Sequence, residues 1–225
     1  MNFQHVGGIS ALLCAATYMF GFALLVTLLA ELNFGSNGVD AAAVVRFSQE
    51  NHAVMIAWNT VIYIVNALAL VVLVVSISTM LKHRSDSWST VVLAFGLVWS
   101  TLVLGAGMIA NVATERSVAL LASDPTLAVE TWEMLHAVEL GLGGGNEIAG
   151  GVWILCVSVA GLMYGVFGRI VNGLGVLTGL GGFLTILPPL GEIAGVVFGL
   201  GAIAWFIGMG LVMVFGRFAA AKTSD

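Results

Sequence analysis

Charged residues are scarce in this chain, and their scarcity decides its class. Only 8% of its 225 residues are Asp, Glu, Lys or Arg, whereas a soluble domain carries about 25%. Hydrophobic residues make up 60% of the chain and the mean hydropathy is +1.07, which is more apolar surface than a water-soluble fold of this length can hide. The composition therefore predicts a protein that lies in the lipid bilayer, with no room for a soluble catalytic domain.

Basic runs, disulfide patterns and catalytic motifs are also lacking. The seven Lys and Arg residues form no cluster, which excludes nucleic acid as a partner. The two cysteines, Cys14 and Cys156, each lie in an apolar stretch and are interpreted as small apolar side chains. The chain has no phosphate-binding loop, nucleophile elbow, His-Glu-x-x-His motif or dinucleotide fingerprint, so the sequence favours a protein that is not an enzyme.

Six apolar stretches are long enough to predict transmembrane helices, which need about 20 residues each. They predict an all-α fold, a six-helix transmembrane bundle forming a single domain over residues 1–225. Two long loops follow the first and the third crossing, at 32–52 and 113–146. The predicted helices cover 8–31, 53–81, 89–112, 147–167, 171–187 and 191–215.

The orientation follows from the loops that carry Lys and Arg, because positive residues favour the cytoplasmic side. Two basic residues, Arg46 and Arg116, fall in the long loops, and the other five fall on the opposite side. The sequence therefore predicts a multi-pass protein of the inner (plasma) membrane with both termini cytoplasmic. Ten of the twelve acidic residues then lie at or outside the outer interface, so the outer face carries a net charge of −8 and attracts cations. The five cytoplasmic basic residues are Lys82, Arg84, Arg169, Arg217 and Lys222.

Each long loop contains a signal for a short helix. Asp40 suits the N-cap of a helix over 41–50. Asp124 followed by Pro125 predicts the start of a second helix, which runs to about residue 140.

The second of these helices is expected to be amphipathic. Leu127, Met134 and Val138 fall on one side of it, while Glu130 and Glu133 take another side. This pattern predicts a helix that lies on the outer surface or caps the bundle.

Polar residues collect at the outer ends of the predicted helices and in the second loop, and they form a candidate ligand-binding pocket. An alternative explanation is structural, because carboxylates in a first helical turn are stabilised by the helix dipole and Asn residues commonly start helices. The candidate residues are His52, Glu133, His136, Glu139, Asn146, Glu147 and Glu192.

No cofactor is predicted, although two alternatives stay open. A divalent metal held by His52, His136 and Glu147 has suitable ligand types, and a haem between His52 and His136 is the other. The Glu133–His136 spacing resembles that of di-iron bundles, but those sites need a second such pair, which this chain lacks.

A deeper polar stripe lies on the second predicted helix. Asn59, Tyr63 and Asn66 stand at i, i+4 and i+7, which predicts one shared face within the membrane. Hydrogen bonds between helices in lipid contribute about 0.6 to 2 kcal/mol each and account for such a stripe. The alternative is the floor of a solute cavity.

Three stretches of glycine and apolar residues, at 7–25, 147–175 and 197–206, resemble a family of small bacterial multi-pass membrane proteins grouped as a domain of unknown function. They include Glu147-Ile148-Ala149-Gly150 and Ala204-Trp205-Phe206. The resemblance implies a six-helix protein of the bacterial inner membrane. It implies no activity and no catalytic residues.

Three functional hypotheses follow from the sequence. The first is a non-enzymatic membrane component that binds a small ligand, a lipid or a partner subunit at its acidic outer face. The second is a transporter or channel for a neutral or cationic small solute. The third is a metal-dependent membrane enzyme with an outer Glu/His site. The expected surroundings are the lipid bilayer, with either a membrane partner subunit or a homo-oligomer.

Overall fold

A computed structural model describes residues 2–34, 38–144, 147–187 and 189–216. Over these residues the fold is all-helical, as predicted, with no strand. Two segments of the described chain, Thr60–Val65 and Leu140–Gly144, are π-helical. The helices are α1 (Phe3–Leu25), α2 (Ala41–Glu50), α3 (His52–Lys82), α4 (Asp86–Leu121), α5 (Pro125–Glu139), α6 (Ile148–Tyr164), α7 (Arg169–Leu184) and α8 (Gly191–Phe215).

Five helices in the described part of the chain are long and apolar enough to cross a membrane. They are α1, α3, α4, the stretch Pro125–Tyr164 that holds α5 and α6, and α8. Helix α7 is apolar but has only 16 residues. Each predicted segment overlaps an observed helix, and the second, 53–81, agrees with α3 to within one residue at each end, but the count of six membrane crossings stays a prediction.

The first predicted helix, 8–31, is displaced from its observed position, because α1 begins at Phe3 and ends at Leu25. After α1 the chain turns through a short 3-10 helix, Ala30–Leu32. Leu29 and Leu32 are buried in a cluster with Trp58 and Trp132. Their apolar character therefore reflects packing within the protein and not a longer membrane crossing.

The chain divides into two compact units. The hairpin unit comprises residues 1–16, 69–100 and 147–225, and the long-loop unit comprises 17–68 and 101–146. The single transmembrane domain expected from the sequence stays a prediction.

Within the hairpin unit, glycine allows α6 and α7 to approach closely. A Cβ atom at Gly151 would lie 2.7 Å from the Phe183 nitrogen and 2.8 Å from the Gly179 oxygen. No side chain fits between these backbones, which is how small residues bring helices together in lipid. Large aromatic side chains fill the remaining core, with Trp153 and Trp205 both fully buried.

Within the long-loop unit, both predicted short helices form with the expected caps. The Asp40 carboxylate accepts a hydrogen bond from the Ala43 nitrogen at 2.9 Å at the start of α2. The Asp124 carboxylate accepts one from the Leu127 nitrogen at 3.0 Å at the start of α5. The sequence Gly35-Ser36-Asn37-Gly38 also predicts a turn, of which residues 35–37 lie outside the described part of the chain.

Within the long-loop unit, α5 does not bury the side that carries Leu127, Met134 and Val138, so a choice between the two predicted positions, on the outer surface or as a cap, stays open. Its buried residues are Ala128, Trp132 and Glu139, whereas Leu127, Met134 and Val138 are exposed. Trp132 explains the difference, because a buried indole removes more apolar surface from water than a Leu or Val side chain does. The helix therefore turns its tryptophan inward and its aliphatic stripe outward.

Candidate functional site: a buried carboxylate between a tyrosine and a histidine

Glu139, the last residue of α5, places its carboxylate inside the long-loop unit, where the residue is only 7% exposed. The Tyr63 hydroxyl donates a hydrogen bond to Oε1 of Glu139 at 2.6 Å. Nδ1 of His136 donates to Oε2 at 2.7 Å. Both carboxylate oxygens are therefore satisfied by short, charge-assisted hydrogen bonds, which are stronger than hydrogen bonds between neutral groups.

Aromatic rings hold the His136 imidazole in place. It stacks on Trp132, four residues earlier on the same helix face, with ring centroids 4.5 Å apart and an interplanar angle of 23°. The Phe34 ring meets the imidazole edge-on, with centroids 6.2 Å apart. Phe34 also packs against Trp58 and Trp132. These contacts fix the plane of the imidazole and aim Nδ1 at Glu139.

Two backbone features position Tyr63. It lies in the π-helical segment of α3, a kind of distortion that is frequent at functional sites. It also faces Gly107 of α4, where any side chain would collide with Cβ of Tyr63. The absence of a side chain at 107 therefore gives the tyrosine room beside α4.

The three polar residues of the α3 stripe bond to three different helices. Asn59 Nδ2 donates to Thr114 Oγ1 of α4 at 3.4 Å, and Asn66 Nδ2 donates to Thr17 Oγ1 of α1 at 2.7 Å. Tyr63 bonds to α5, as described above. Asn59 and Asn66 are 4% and 1% exposed. Hydrogen bonding between helices therefore accounts for the stripe more directly than the floor of a solute cavity does.

One polar residue of this region was not among the sequence candidates. Asn111 of α4 donates through Nδ2 to Thr60 Oγ1 at 3.2 Å. Its Oδ1 is buried and has no hydrogen-bond partner among the residues that the structure describes. The sequence does contain a signal for this residue, because Asn111 is the one amide in the otherwise apolar stretch 102–113.

The histidine of the other long loop has a different partner. His52, at the start of α3, places Nε2 3.5 Å from Oε1 of Glu115 on α4. Both side chains are largely exposed, at 41% and 61%. Such surface pairs contribute about 0–1 kcal/mol.

Of the candidate pocket residues described in the long-loop unit, His136 and Glu139 contact each other. Glu133 lies on the exposed side of α5, and His52 pairs with Glu115. Glu147 and Glu192 belong to the hairpin unit, where the Glu147 nitrogen donates to Thr185 Oγ1 at 3.1 Å. Asn146 lies outside the described residues.

Across residues 2–34, 38–144, 147–187 and 189–216, no three His, Cys, Asp or Glu side chains are grouped as a metal site would require. The metal set of His52, His136 and Glu147 and the haem alternative stay hypotheses.

Charge is concentrated in the long-loop unit. Of its ten charged residues, eight are acidic and two are basic, which gives a net charge of −6. A surface with this excess attracts positively charged groups and repels anions. The acidic residues are Glu31, Asp40, Glu50, Glu115, Asp124, Glu130, Glu133 and Glu139.

Comparison of the chain with protein-family models, curated proteins and solved structures gives no match. The resemblance to small bacterial multi-pass membrane proteins therefore stays a prediction. Function has to be inferred from the residues and contacts of this chain.

Proposed function

We propose that this protein is a non-enzymatic component of a membrane complex and that α5 binds a partner subunit. One observation carries the proposal. Helix α5 buries its Glu139 and exposes Leu127, Met134 and Val138, at 44%, 69% and 49%. A helix that turns aliphatic residues outward and a carboxylate inward presents a surface for a second molecule.

The three exposed aliphatic residues form a continuous stripe, because they stand at i, i+7 and i+11 of a helix. Glu130 and Glu133 are also exposed and flank this stripe. The complementary partner therefore has an apolar surface with Lys or Arg at its edge.

Charge argues against three other environments for the exposed aliphatic stripe of α5: the membrane surface, the hydrocarbon core and a second copy of the chain. Helices that lie on a membrane surface are rich in Lys and Arg, and α5 contains neither. Immersion in hydrocarbon would bring Glu130 and Glu133 into lipid at considerable cost. A second copy of the chain would bring together two units that each carry a net charge of −6. A basic protein partner meets none of these objections.

The buried network supports this role by fixing the rotation of α5. Trp132 packs in the core, and Glu139 is bonded to Tyr63 of another helix. Turning α5 about its axis would bury Met134 but would break both contacts. The Tyr63–Glu139–His136 network is therefore a positioning device for the exposed stripe.

The proposed topology has six crossings, with α7 as the sixth, and both termini on the cytoplasmic side of the inner membrane. At 16 residues, α7 is about 24 Å long, so it crosses without tilt and with slight thinning of the bilayer. This arrangement puts both long loops on the outer side, and the acidic unit then faces a partner there. The distribution of Lys and Arg supports it.

The first test is native mass spectrometry of the protein released from its own membrane by mild detergent. The wild type is expected to retain a second polypeptide, and Met134→Glu is expected to lose it. Ser87→Glu is the matched control, because it adds the same charge at an exposed residue of the hairpin unit, in the first turn of α4. A bare 23.4 kDa chain in the wild type, or equal loss in both variants, contradicts the proposal.

A binding assay tests the chemistry of the partner separately. The probe is a fluorescent helical peptide of Leu and Lys, added to the protein in phosphatidylcholine nanodiscs. Met134→Glu is expected to weaken binding about tenfold, as the loss of a central contact does. The same peptide with Glu in place of Lys is expected not to bind. Equal binding of the two peptides contradicts the charge argument.

A second candidate function is passage of a neutral or cationic small solute along α3. The buried, unpartnered Oδ1 of Asn111 favours it, because such an atom accepts a hydrogen bond from water or a solute. The test introduces cysteine at 59, 66 and 111. Protection of all three from aqueous thiol reagents excludes a wet path.

A further inference from the structure

A groove of about 470 Å³ opens between the end of α3 and the start of α4, within the hairpin unit. Its volume falls in the range of small-molecule binding sites, about 300–1,000 Å³. Its lining is polar at the end that faces the turn between the helices and aliphatic further along them. Neither the Tyr63–Glu139–His136 network nor the α5 stripe involves these residues.

Two opposite charges stand at the polar end of the groove. Lys82 is the last residue of α3 and Asp86 is the first residue of α4. Both are exposed, and the described part of the chain provides neither side chain with an ion-pair partner within 4.0 Å. A groove that offers one cation and one anion is complementary to a zwitterion.

Two threonines supply further acceptors one helical turn away from the charges. The Thr79 hydroxyl donates to the Val75 carbonyl at 2.8 Å, and the Thr90 hydroxyl donates to the Asp86 carbonyl at 2.9 Å. Because each hydroxyl donates its proton to a carbonyl of its own helix, the two hydroxyl oxygens can only accept hydrogen bonds from a ligand in the groove. Three acceptors, counting the Asp86 carboxylate, match the three N–H donors of a primary ammonium.

Two buried serines fix the floor of the groove. The Ser78 and Ser89 hydroxyls lie 2.9 Å apart, and each also lies within 3.1 Å of the carbonyl oxygen of the other residue. These bonds tie α3 to α4, so the width of the groove is set before any ligand arrives.

The lining changes character along the helices in the order of a phospholipid. Val75 stands seven residues before Lys82, and Leu93 stands seven residues after Asp86, about 10 Å along each helix. The charges therefore lie at the turn, the hydroxyls one turn away and the aliphatic residues two turns away. A phospholipid likewise carries its charged headgroup at one end and its acyl chains at the other.

We propose that this groove binds phosphatidylethanolamine. Lys82 binds the phosphate, while Asp86, Thr79 and Thr90 accept hydrogen bonds from the ammonium. Phosphatidylcholine has no N–H to donate to these acceptors. Phosphatidylglycerol has no cation for Asp86, whose charge repels its phosphate.

The test is native mass spectrometry of the full chain in detergent with equal amounts of the three phospholipids, all with the same acyl chains. The wild type is expected to retain about tenfold more phosphatidylethanolamine than phosphatidylcholine, the effect of losing a charge-assisted hydrogen bond. Asp86→Asn is expected to abolish this preference, and Lys82→Gln to lower the retention of all three lipids. Thr90→Val, which keeps the side-chain shape, is expected to lower the preference in part.

Asp40→Asn is the matched control, because it removes the same charge in the long-loop unit and leaves an acceptor for the helix cap. Its lipid preference is expected to equal that of the wild type. Equal retention of phosphatidylethanolamine and phosphatidylcholine by the wild type, or an unchanged preference in Asp86→Asn, overturns the proposal. So does complete displacement of the lipid by an equal concentration of soluble phosphoethanolamine, since the aliphatic end of the groove would then contribute nothing.

Discussion

The hydroxyl of Tyr63 reaches the carboxylate of Glu139, 76 positions further along the chain, at 2.6 Å. This hydrogen bond ties α3 to the end of α5 in the long-loop unit. Removing it with Tyr63→Phe is expected to lower the free energy of unfolding by about 1.5–3 kcal/mol, as for hydrogen bonds to charged groups. Unfolding by SDS in mixed micelles measures it. Tyr164→Phe is the control, since no hydrogen bond of the Tyr164 hydroxyl is found among the described residues, and it is expected to leave stability unchanged.

Glu139 and Glu133 lie on the same helix but should respond differently to substitution. Glu139→Leu leaves the partly buried Tyr63 and His136 without their acceptor, which costs up to about 1–3 kcal/mol for each group. Glu139→Gln keeps an acceptor oxygen and is expected to cost less. Glu133→Leu changes an exposed residue and is expected to stay within about 0.5 kcal/mol. Equal destabilisation by Glu139→Leu and Glu133→Leu in the SDS titration contradicts the buried network.

Two helical glycines should respond with opposite signs to alanine. At Gly151 the new methyl group would meet the α7 backbone, and Gly151→Ala is expected to destabilise the protein by about 1–3 kcal/mol. At Gly195 nothing lies within 4 Å of the new atom, and Gly195→Ala is expected to stabilise the protein by about 0.5–1 kcal/mol. Thermal melting in one detergent compares them. A lower melting temperature for both variants contradicts the described packing of α8.

The cap of α5 gives a local test. Asp124→Ala removes the acceptor for the Leu127 nitrogen and is expected to cost about 0.5–2 kcal/mol. Asp124→Asn keeps an acceptor and is expected to be nearly neutral. Amide hydrogen exchange at the start of α5 reports on the cap directly. Equal exchange rates in Asp124→Ala and Asp124→Asn contradict a stabilising hydrogen bond from the Leu127 nitrogen to Asp124.

The bond between Asn66 and Thr17 can be measured by a double-mutant cycle. Asn66→Leu and Thr17→Val each remove one partner of a 2.7 Å hydrogen bond. The expected coupling energy is about 0.6–1.7 kcal/mol, the range found for hydrogen bonds between membrane helices. The four SDS unfolding free energies give this value. Additive effects of the two substitutions contradict a direct bond.

Signals confined to a few residues predicted local structure well. Asp40 and Asp124 mark the starts of α2 and α5 because an N-cap depends only on the residues within one turn. The long apolar run 53–81 likewise predicted α3 closely, since a helix in lipid needs an uninterrupted apolar stretch.

Features that depend on contacts between residues far apart in the chain were not predicted from the sequence. The end of α1 was misplaced because Leu29 and Leu32 pack against Trp58 and Trp132, which come from other helices. The aliphatic residues of α5 outnumber its single tryptophan, yet Trp132 decides which side is buried. Tyr63 was placed on a polar stripe, but its bond to Glu139 required the contact between α3 and α5. Asn111 was overlooked because a single amide has no periodic pattern.

The π-helical segment Thr60–Val65 limits how α3 can change in evolution. A π turn holds one more residue than the α turn it replaces, so deleting a residue there would restore a regular helix. Such a deletion would keep the two flanks of α3 in their present directions, whereas a regular α-helix of unchanged length would rotate one flank by about 100° and turn either Asn59 or Asn66 away from its partner. The wide turn, and not the number of residues alone, therefore sets the directions in which these two asparagines face.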